Sequence, residues 1–418
     1  MRIRGRIEAL GRWIVFGALI GVACGIASAV FLHLLEIATA TREADRRLVW
    51  ALPLAGLAIG WIYERWGESI LAGNNLVIDA IHDDGPEIPV RMAPMVLVGT
   101  VLTHLFGGSA GREGTAVQMG ASLSDAICRL LGLAGPARRR LLAAGVAGGF
   151  GSVFGTPFAG AVFGLEFVVL GRLEYDALVP ALVASVVGDM TTRALGIVHT
   201  AYPVVAREAL TPDLLLRWHV FAAAVAATAI VFIEATHLLK REGARLLPRL
   251  PLRMLAGGLA IMALWRLSGT DEYLGLGVPT IVRAFDDAAM PPWTFAAKML
   301  FTSVTLGAGF LGGEVTPLFF VGATLGNALA GPLGLPLDLA AGVGMAGVFA
   351  AAANAPLSLS IMAAELLGGN VFPHVAIVCT IAWVLGGHRS IYPRQRLVGG
   401  KDGERLPEPV ALGDLDPE

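Results

Sequence analysis

Two carboxylates stand inside apolar, glycine-rich sequence: Glu113 in Gly107-Gly-Ser-Ala-Gly-Arg-Glu-Gly-Thr115 and Glu314 in Gly312-Gly-Glu-Val-Thr-Pro317. A third break, Gly73-Asn-Asn-Leu76, lacks an acid but carries two side-chain amides. Each break precedes an apolar run, so each is a candidate helix start with unpaired N–H donors and the positive end of a dipole. Such ends bind anions. Glycine lets the backbone approach an ion, and Asn74, Thr115 and Thr316 add side-chain donors; the alternative is that these residues only cap and turn. An acid beside an anion site can occupy it when ionised and leave it when protonated, which couples proton movement to anion movement. The plainer readings are a buried Arg112–Glu113 pair and, for Glu314, a carboxylate that favours a helix start.

The elements that must position these groups lie in a membrane. Among 418 residues, 15% are charged and 55% hydrophobic, against about 25% charged in ordinary soluble domains, and mean hydropathy is +0.69. This excludes a soluble enzyme, a disordered chain and a nucleic-acid binder, and leaves an all-α polytopic membrane protein. There an ionisable group costs roughly 2.5 kcal/mol or more and marks a functional position. Cys24, Cys128 and Cys379 have no ligand-pair spacing and read as small core residues. The arginines at 2, 4, 6 and 12 precede an apolar run with no cleavage site after it, so the segment reads as a retained first helix.

Several apolar stretches, among them 48–62, 92–107 and 355–368, are shorter than the roughly 20 residues of a simple span; 139–172 is the longest. Short broken segments must be half-helices buried in protein or lining a cavity. The repeat of Gly17, Gly21 and Gly25 reads as close helix packing. Gly155-Thr-Pro-Phe-Ala-Gly-Ala-Val-Phe-Gly-Leu-Glu166 has a counterpart in Asn354-Ala-Pro-Leu-Ser-Leu-Ser-Ile-Met-Ala-Ala-Glu365, and Gly111-Arg-Glu-Gly-Thr115 has one in Gly312-Gly-Glu-Val-Thr316. Offsets near 200 at both places argue for a duplicated half. The matching positions of Glu166 and Glu365 favour a structural role for both.

Basic clusters at the N-terminus, at Arg138 to Arg140, from Lys240 to Arg253 and from Arg389 to Lys401 put those loops and both termini in the cytoplasm. Arg42, Arg46 and Arg47 run against the rule. An odd number of crossings per half makes the repeats inverted and places a substrate site at the midplane. The expected organisation is a cytoplasmic segment over 1–12, a first repeat over 13–200, a second over 210–396 and a cytoplasmic tail over 397–418.

Gly107-Gly-Ser-Ala-Gly111 also satisfies the nucleophile-elbow pattern G-x-S-x-G, which requires a preceding strand and here follows an apolar helix. An intramembrane serine protease would pair Ser109 with His104 or His374; both histidines read better as satisfied core side chains.

The three loops, in this order on a duplicated helical membrane chain, resemble the CLC family of chloride channels and anion/proton antiporters from about residue 13 to 396. The resemblance implies the CLC fold, two inverted repeats of broken and tilted helices. Gly111-Arg-Glu-Gly114 is similar to the family's G-R-E-G-P, which makes Glu113 the gating glutamate, with Thr115 where the family has proline. Asn74 stands in place of the serine that coordinates chloride, and Tyr392 matches the tyrosine that closes the inner side of the site. Gly312-Gly-Glu-Val-Thr-Pro317 replaces G-x-F-x-P. These departures resemble the fluoride/proton antiporter branch, in which Glu314 is among the groups given the inward proton role; Phe167 replaces the second acid of many chloride/proton antiporters. The implied anion site comprises Asn74, Gly111, Arg112, Gly114, Thr115, Val315, Thr316 and Tyr392. The chain stops soon after Tyr392, without the cytoplasmic nucleotide-binding regions of many relatives.

Fluoride is small and strongly hydrated, so preferring it over chloride requires short hydrogen bonds from several donors, and Asn74 and Thr316 supply extra ones. Hydrofluoric acid crosses membranes neutral and ionises in the cytoplasm, so inward protons are a natural driving force for export. The expected protein exports fluoride in exchange for protons as a homodimer with one pathway per subunit in the bacterial inner membrane. It calls for no cofactor and no metal. A chloride/proton antiporter is the first alternative, a passive anion channel the second and an enzyme the last.

Overall fold

The computed structural model describes residues 3–82, 85–399, 401 and 405–415, so parts of the expected segments 1–12 and 397–418 lie outside the described residues. Those residues form sixteen α-helices in two series of eight. The first is α1 (Ile3–Ala44), α2 (Leu52–Trp66), α3 (Asn74–Ile81), α4 (Met92–Leu105), α5 (Glu113–Leu130), α6 (Gly135–Phe154), α7 (Pro157–Glu166) and α8 (Leu178–Ala194). The second is α9 (Pro212–Leu246), α10 (Leu250–Ser268), α11 (Val278–Arg283), α12 (Thr294–Gly307), α13 (Val315–Leu333), α14 (Leu337–Ala353), α15 (Pro356–Leu367) and α16 (Phe372–Leu385).

Proline and glycine set the boundaries. Pro53, Pro136, Pro157, Pro251, Pro356 and Pro373 each sit in the first turn of a helix, where a missing N–H costs nothing. The apolar stretch 139–172 is therefore two helices and not one, because Gly155 ends α6 in the left-handed conformation (φ 76°) and Pro157 starts α7. Asn354 (φ 56°) ends α14 before Pro356 in the same way.

α1, α9 and α10 are long and apolar enough to cross a membrane alone. Shorter helices are wrapped by protein: in α14 every residue from Leu339 to Ala353 is buried. Gly17, Gly21 and Gly25 lie against α8, where a Cβ on each would come within 2.9, 2.7 and 2.6 Å of the Pro180, Ala184 and Gly188 carbonyl oxygens. The glycine stripe is a packing seam.

Side-chain caps show how the halves are related. Glu166, at the end of α7, accepts from the Leu357 and Ser358 amides at the start of α15 (3.0 and 2.8 Å). Glu365, near the end of α15, accepts from the Phe158 and Ala159 amides at the start of α7 (3.1 and 2.7 Å). Each helix ends at the other's beginning, so two equivalent helices run antiparallel and the repeats are inverted. The structural role expected of both acids is a reciprocal cap.

Both terminal segments carry regular structure. α1 runs without a break from Ile3 through residue 12. The tail adds strands to an otherwise helical chain: β1 (Val169–Leu170) pairs in parallel with β2 (Arg396–Gly399), which pairs antiparallel with β3 (Arg405–Ala411). Leu170, Leu397 and Leu412 bury together beneath this sheet, fastening the tail to the end of α7. Arg42 and Arg46, which contradict the charge rule, serve locally: Arg46 pairs with Asp271 at 2.7 Å and Arg42 is buried beside Glu43.

Candidate anion and proton site

The starts of α5 and α13 meet head to head where the two halves touch. The Gly111 amide donates to the Gly313 carbonyl (2.6 Å) and the Gly313 amide to the Gly111 carbonyl (2.8 Å), an antiparallel bridge. Only glycine fits, because a Cβ on Gly313 would lie 2.7 Å from the Gly114 nitrogen. Gly111 was expected to donate to an anion. Its N–H is instead consumed by the bridge, and its role is to bring the helix starts together.

Glu113 is fully buried at this junction. Its carboxylate accepts from the Thr316 amide (3.1 Å) and hydroxyl (2.5 Å), from the Arg112 amide (3.1 Å) and from Arg112 Nε (3.4 Å). Two of these donors belong to Thr316 at the start of α13, and the side-chain carboxylate fills them. The Arg112 pairing that was the plainer reading is present, but it is one part of a four-donor set shared with the opposite repeat.

Glu314 occupies the equivalent place before α13, half-buried, with its Oε2 buried and lacking a hydrogen-bond partner among the described residues. A buried carboxyl oxygen left bare is costly. Val315 is buried in the first turn of α13. The Thr115 hydroxyl is 2.7 Å from that of Thr100 on α4, so it is not bonded to Glu314 as Thr316 is to Glu113, and the repeat symmetry breaks at this pair.

Asn74 is buried at the start of α3 with Oδ1 unpartnered, and its Nδ2 lies 3.1 Å from where a Cβ would stand on Gly114. Asn75 turns away: its Oδ1 accepts from the Arg394 amide at 3.2 Å. Tyr392 is buried, its amide donating to Ser390 Oγ (2.9 Å) and its ring edge-on to Phe167 at 4.9 Å.

Two cavities flank the junction. One, of about 490 Å³, is lined by Asn74, Thr115, Gln118, Glu314 and Tyr392, with Lys240, Arg241 and Arg253 among its walls. The other, of about 850 Å³, is lined by Arg112, Glu36, Glu43 and His199. In the chain, Glu113 lies between Arg112, which lines the second, and Thr115, which lines the first. Ser109 bonds Thr302 (2.9 Å) and its amide bonds Thr305 (3.1 Å), while His104 bonds the Thr100 and Ala110 carbonyls. His374 receives the Trp218 indole N–H at 3.1 Å. Ser109 and these histidines thus hold the scaffold, with no nucleophile–base pair between them.

Sequence reasoning did not find Thr100 or Gln118. Gln118 had a legible signal, since it lies three residues after Thr115 on the same helix face. Thr100 had none, because its distance to Thr115 depends on how α4 packs on α5.

A family profile described as "Voltage gated chloride channel" matches residues 55–387. A "Chloride/fluoride channel protein" of Pseudomonas syringae pv. tomato is 47% identical over 417 residues, covering 97% of this chain and 91% of the relative. The crystal structure of a CLC-type fluoride/proton antiporter superposes with a TM-score of 0.90 at 33% identity, covering 95% of this chain and 100% of the other. The X-ray structure of a slow cyanobacterial chloride/proton antiporter gives 0.80 at 19% identity, covering 90% and 94%, a likeness of fold. With sixteen helices in two inverted series and a glutamate seated on the opposite repeat's helix start, the chain belongs to the CLC family of voltage-gated chloride channels and related transporters.

Proposed function

We propose that this protein is a fluoride/proton antiporter that exports fluoride from the cytoplasm, driven by inward protons. The observation that carries the reading is the Glu113 carboxylate held on Thr316 and Arg112. An anion can take those donors only when Glu113 leaves them, and protonation removes the charge that holds it there. Glu314, on the wall of the basic cavity, is the second proton carrier. Asn74, Gly114, Thr115, Val315, Thr316 and Tyr392 form the path for the ion, with Arg112 at the opposite mouth. The choice of fluoride draws on the relatives named for that ion and on the amide and hydroxyl donors of Asn74 and Thr316.

Lys240, Arg241 and Arg253 on its wall support reading the 490 Å³ cavity as the cytoplasmic one. Both termini then lie in the cytoplasm, in the inner membrane of a bacterium, with repeats over 13–200 and 210–396. Every group of the site comes from one chain, which fits a homodimer with a pathway in each subunit. Reconstituted protein should release fluoride from loaded vesicles far faster than chloride. Equal release would favour the chloride antiporter reading.

A further inference from the structure

His237 lines the 490 Å³ cavity together with Glu314 and Tyr392. It is half-buried on α9, and its ring hydrogen-bonds the Ile391 carbonyl, next to Tyr392. Thr236, one residue earlier, joins α9 to α12 through Ser303, their hydroxyl oxygens 2.9 Å apart. Further along, α9 passes close to the end of α12: a Cβ on Gly307 would lie 2.7 Å from the Leu239 Cβ and 3.3 Å from the Lys240 nitrogen. Gly307 ends α12, and the loop that follows leads to Glu314. These contacts hold His237 between the segment that carries the acid and the segment that carries Tyr392.

We propose that His237 relays protons between Glu314 and the cytoplasm through water in this cavity. The other ionisable types on the wall besides Glu314 are lysine, arginine and tyrosine, which titrate far from neutrality in water, whereas imidazole titrates close to it. A polar cavity of this volume admits water to bridge the two groups. The hydrogen bond to the Ile391 carbonyl fixes the tautomer of the neutral ring and leaves its second nitrogen as a proton acceptor. Glu314 gives its proton to that nitrogen, which leaves a carboxylate and an imidazolium. The imidazolium then returns a proton to cytoplasmic water, and the neutral ring is restored. The charged groups around the ring are Lys240, Arg241 and Glu234 on α9, Arg253 from α10 and Glu314 ahead of α13, with Glu234 itself paired to Arg389 at 3.1 Å. This role rests on Glu314 as the second proton carrier.

The test uses the full-length protein in vesicles loaded with fluoride at a series of internal pH values, with fluoride efflux and proton uptake recorded together. In the wild type the coupled rate should change with internal pH through one protonation step. His237→Gln keeps an N–H for the Ile391 carbonyl but cannot carry a proton, so the coupled rate should fall roughly tenfold or more and that step should vanish. His237→Gly should be slow as well, and imidazole inside the vesicles should restore its rate where acetamide at the same concentration does not. If His237→Gly folds poorly, the pH profile of His237→Gln decides. Variants as fast as the wild type, a slow His237→Gln that keeps the pH step, or rescue of His237→Gly by both additives or by neither, overturn the relay. Wild-type protein that moves no protons with fluoride overturns the carrier role of Glu314 and the relay with it, whereas intact wild-type coupling beside unaffected variants removes His237 alone.

Discussion

Thr316 holds Glu113 from a position 203 residues away in the chain, through its amide at 3.1 Å and its hydroxyl at 2.5 Å. One repeat contributes the acid and the other the donors, so the seat of the carboxylate exists only in the assembled pair of halves. An anion reaching the start of α13 and the Glu113 side chain compete for one set of hydrogen bonds. The ionised carboxylate and the anion then exclude each other from those donors, so protonation of Glu113 and binding of the anion are linked.

Thr316→Val keeps the volume and removes the hydroxyl donor. Loss of a hydrogen bond to a charged partner costs about 1.5–3 kcal/mol, so fluoride affinity measured by calorimetry should fall at least tenfold in folded protein. Unchanged affinity would return Thr316 to the role of a cap.

The reciprocal caps predict a stability effect without a transport effect of their own. Glu166→Ala strips the acceptor from two amides of α15, and Glu365→Ala does the same to α7, at about 1–3 kcal/mol each. The two sites lie about 15 Å apart along helices of this length, so the losses should add within about 0.5 kcal/mol. Thermal unfolding of the singles and the double checks this, and strong coupling would mean the caps are not independent.

Gly313→Ala forces a Cβ to within 2.7 Å of the Gly114 nitrogen. The Gly111–Gly313 bridge should open and transport should collapse, with the fold retained by the distant helix contacts. Flux near the wild-type rate would show that the junction tolerates separation.

Much of this arrangement was legible because it is written in local residue types. Glycine and proline marked helix starts at Gly73, Gly111 and Gly312, and two matches near one offset exposed the duplication. The site groups were found by the cost of placing Glu113 and Glu314 in apolar sequence. What stayed hidden depends on packing between segments. Nothing local tells that Gly111 spends its N–H on Gly313, that Thr115 turns to Thr100 while Thr316 turns to Glu113, or that Glu166 caps a helix from the other repeat. The tail strands escaped for the same reason, since their partner is the two-residue β1.

Glu113→Gln fixes the side chain in a form that mimics the protonated acid. Proton movement linked to fluoride should disappear, read as loss of acidification inside vesicles that discharge a fluoride gradient. Retained coupling would move the role to Glu314.

The most direct measurement loads vesicles containing the wild-type protein with fluoride at equal internal and external pH, and records fluoride efflux and internal pH together while the membrane potential is clamped. Antiport predicts that outward fluoride drives protons inward and acidifies the interior from its equal start, and that chloride-loaded vesicles do so far more slowly. Fluoride efflux with no proton uptake would contradict the account and identify a passive channel.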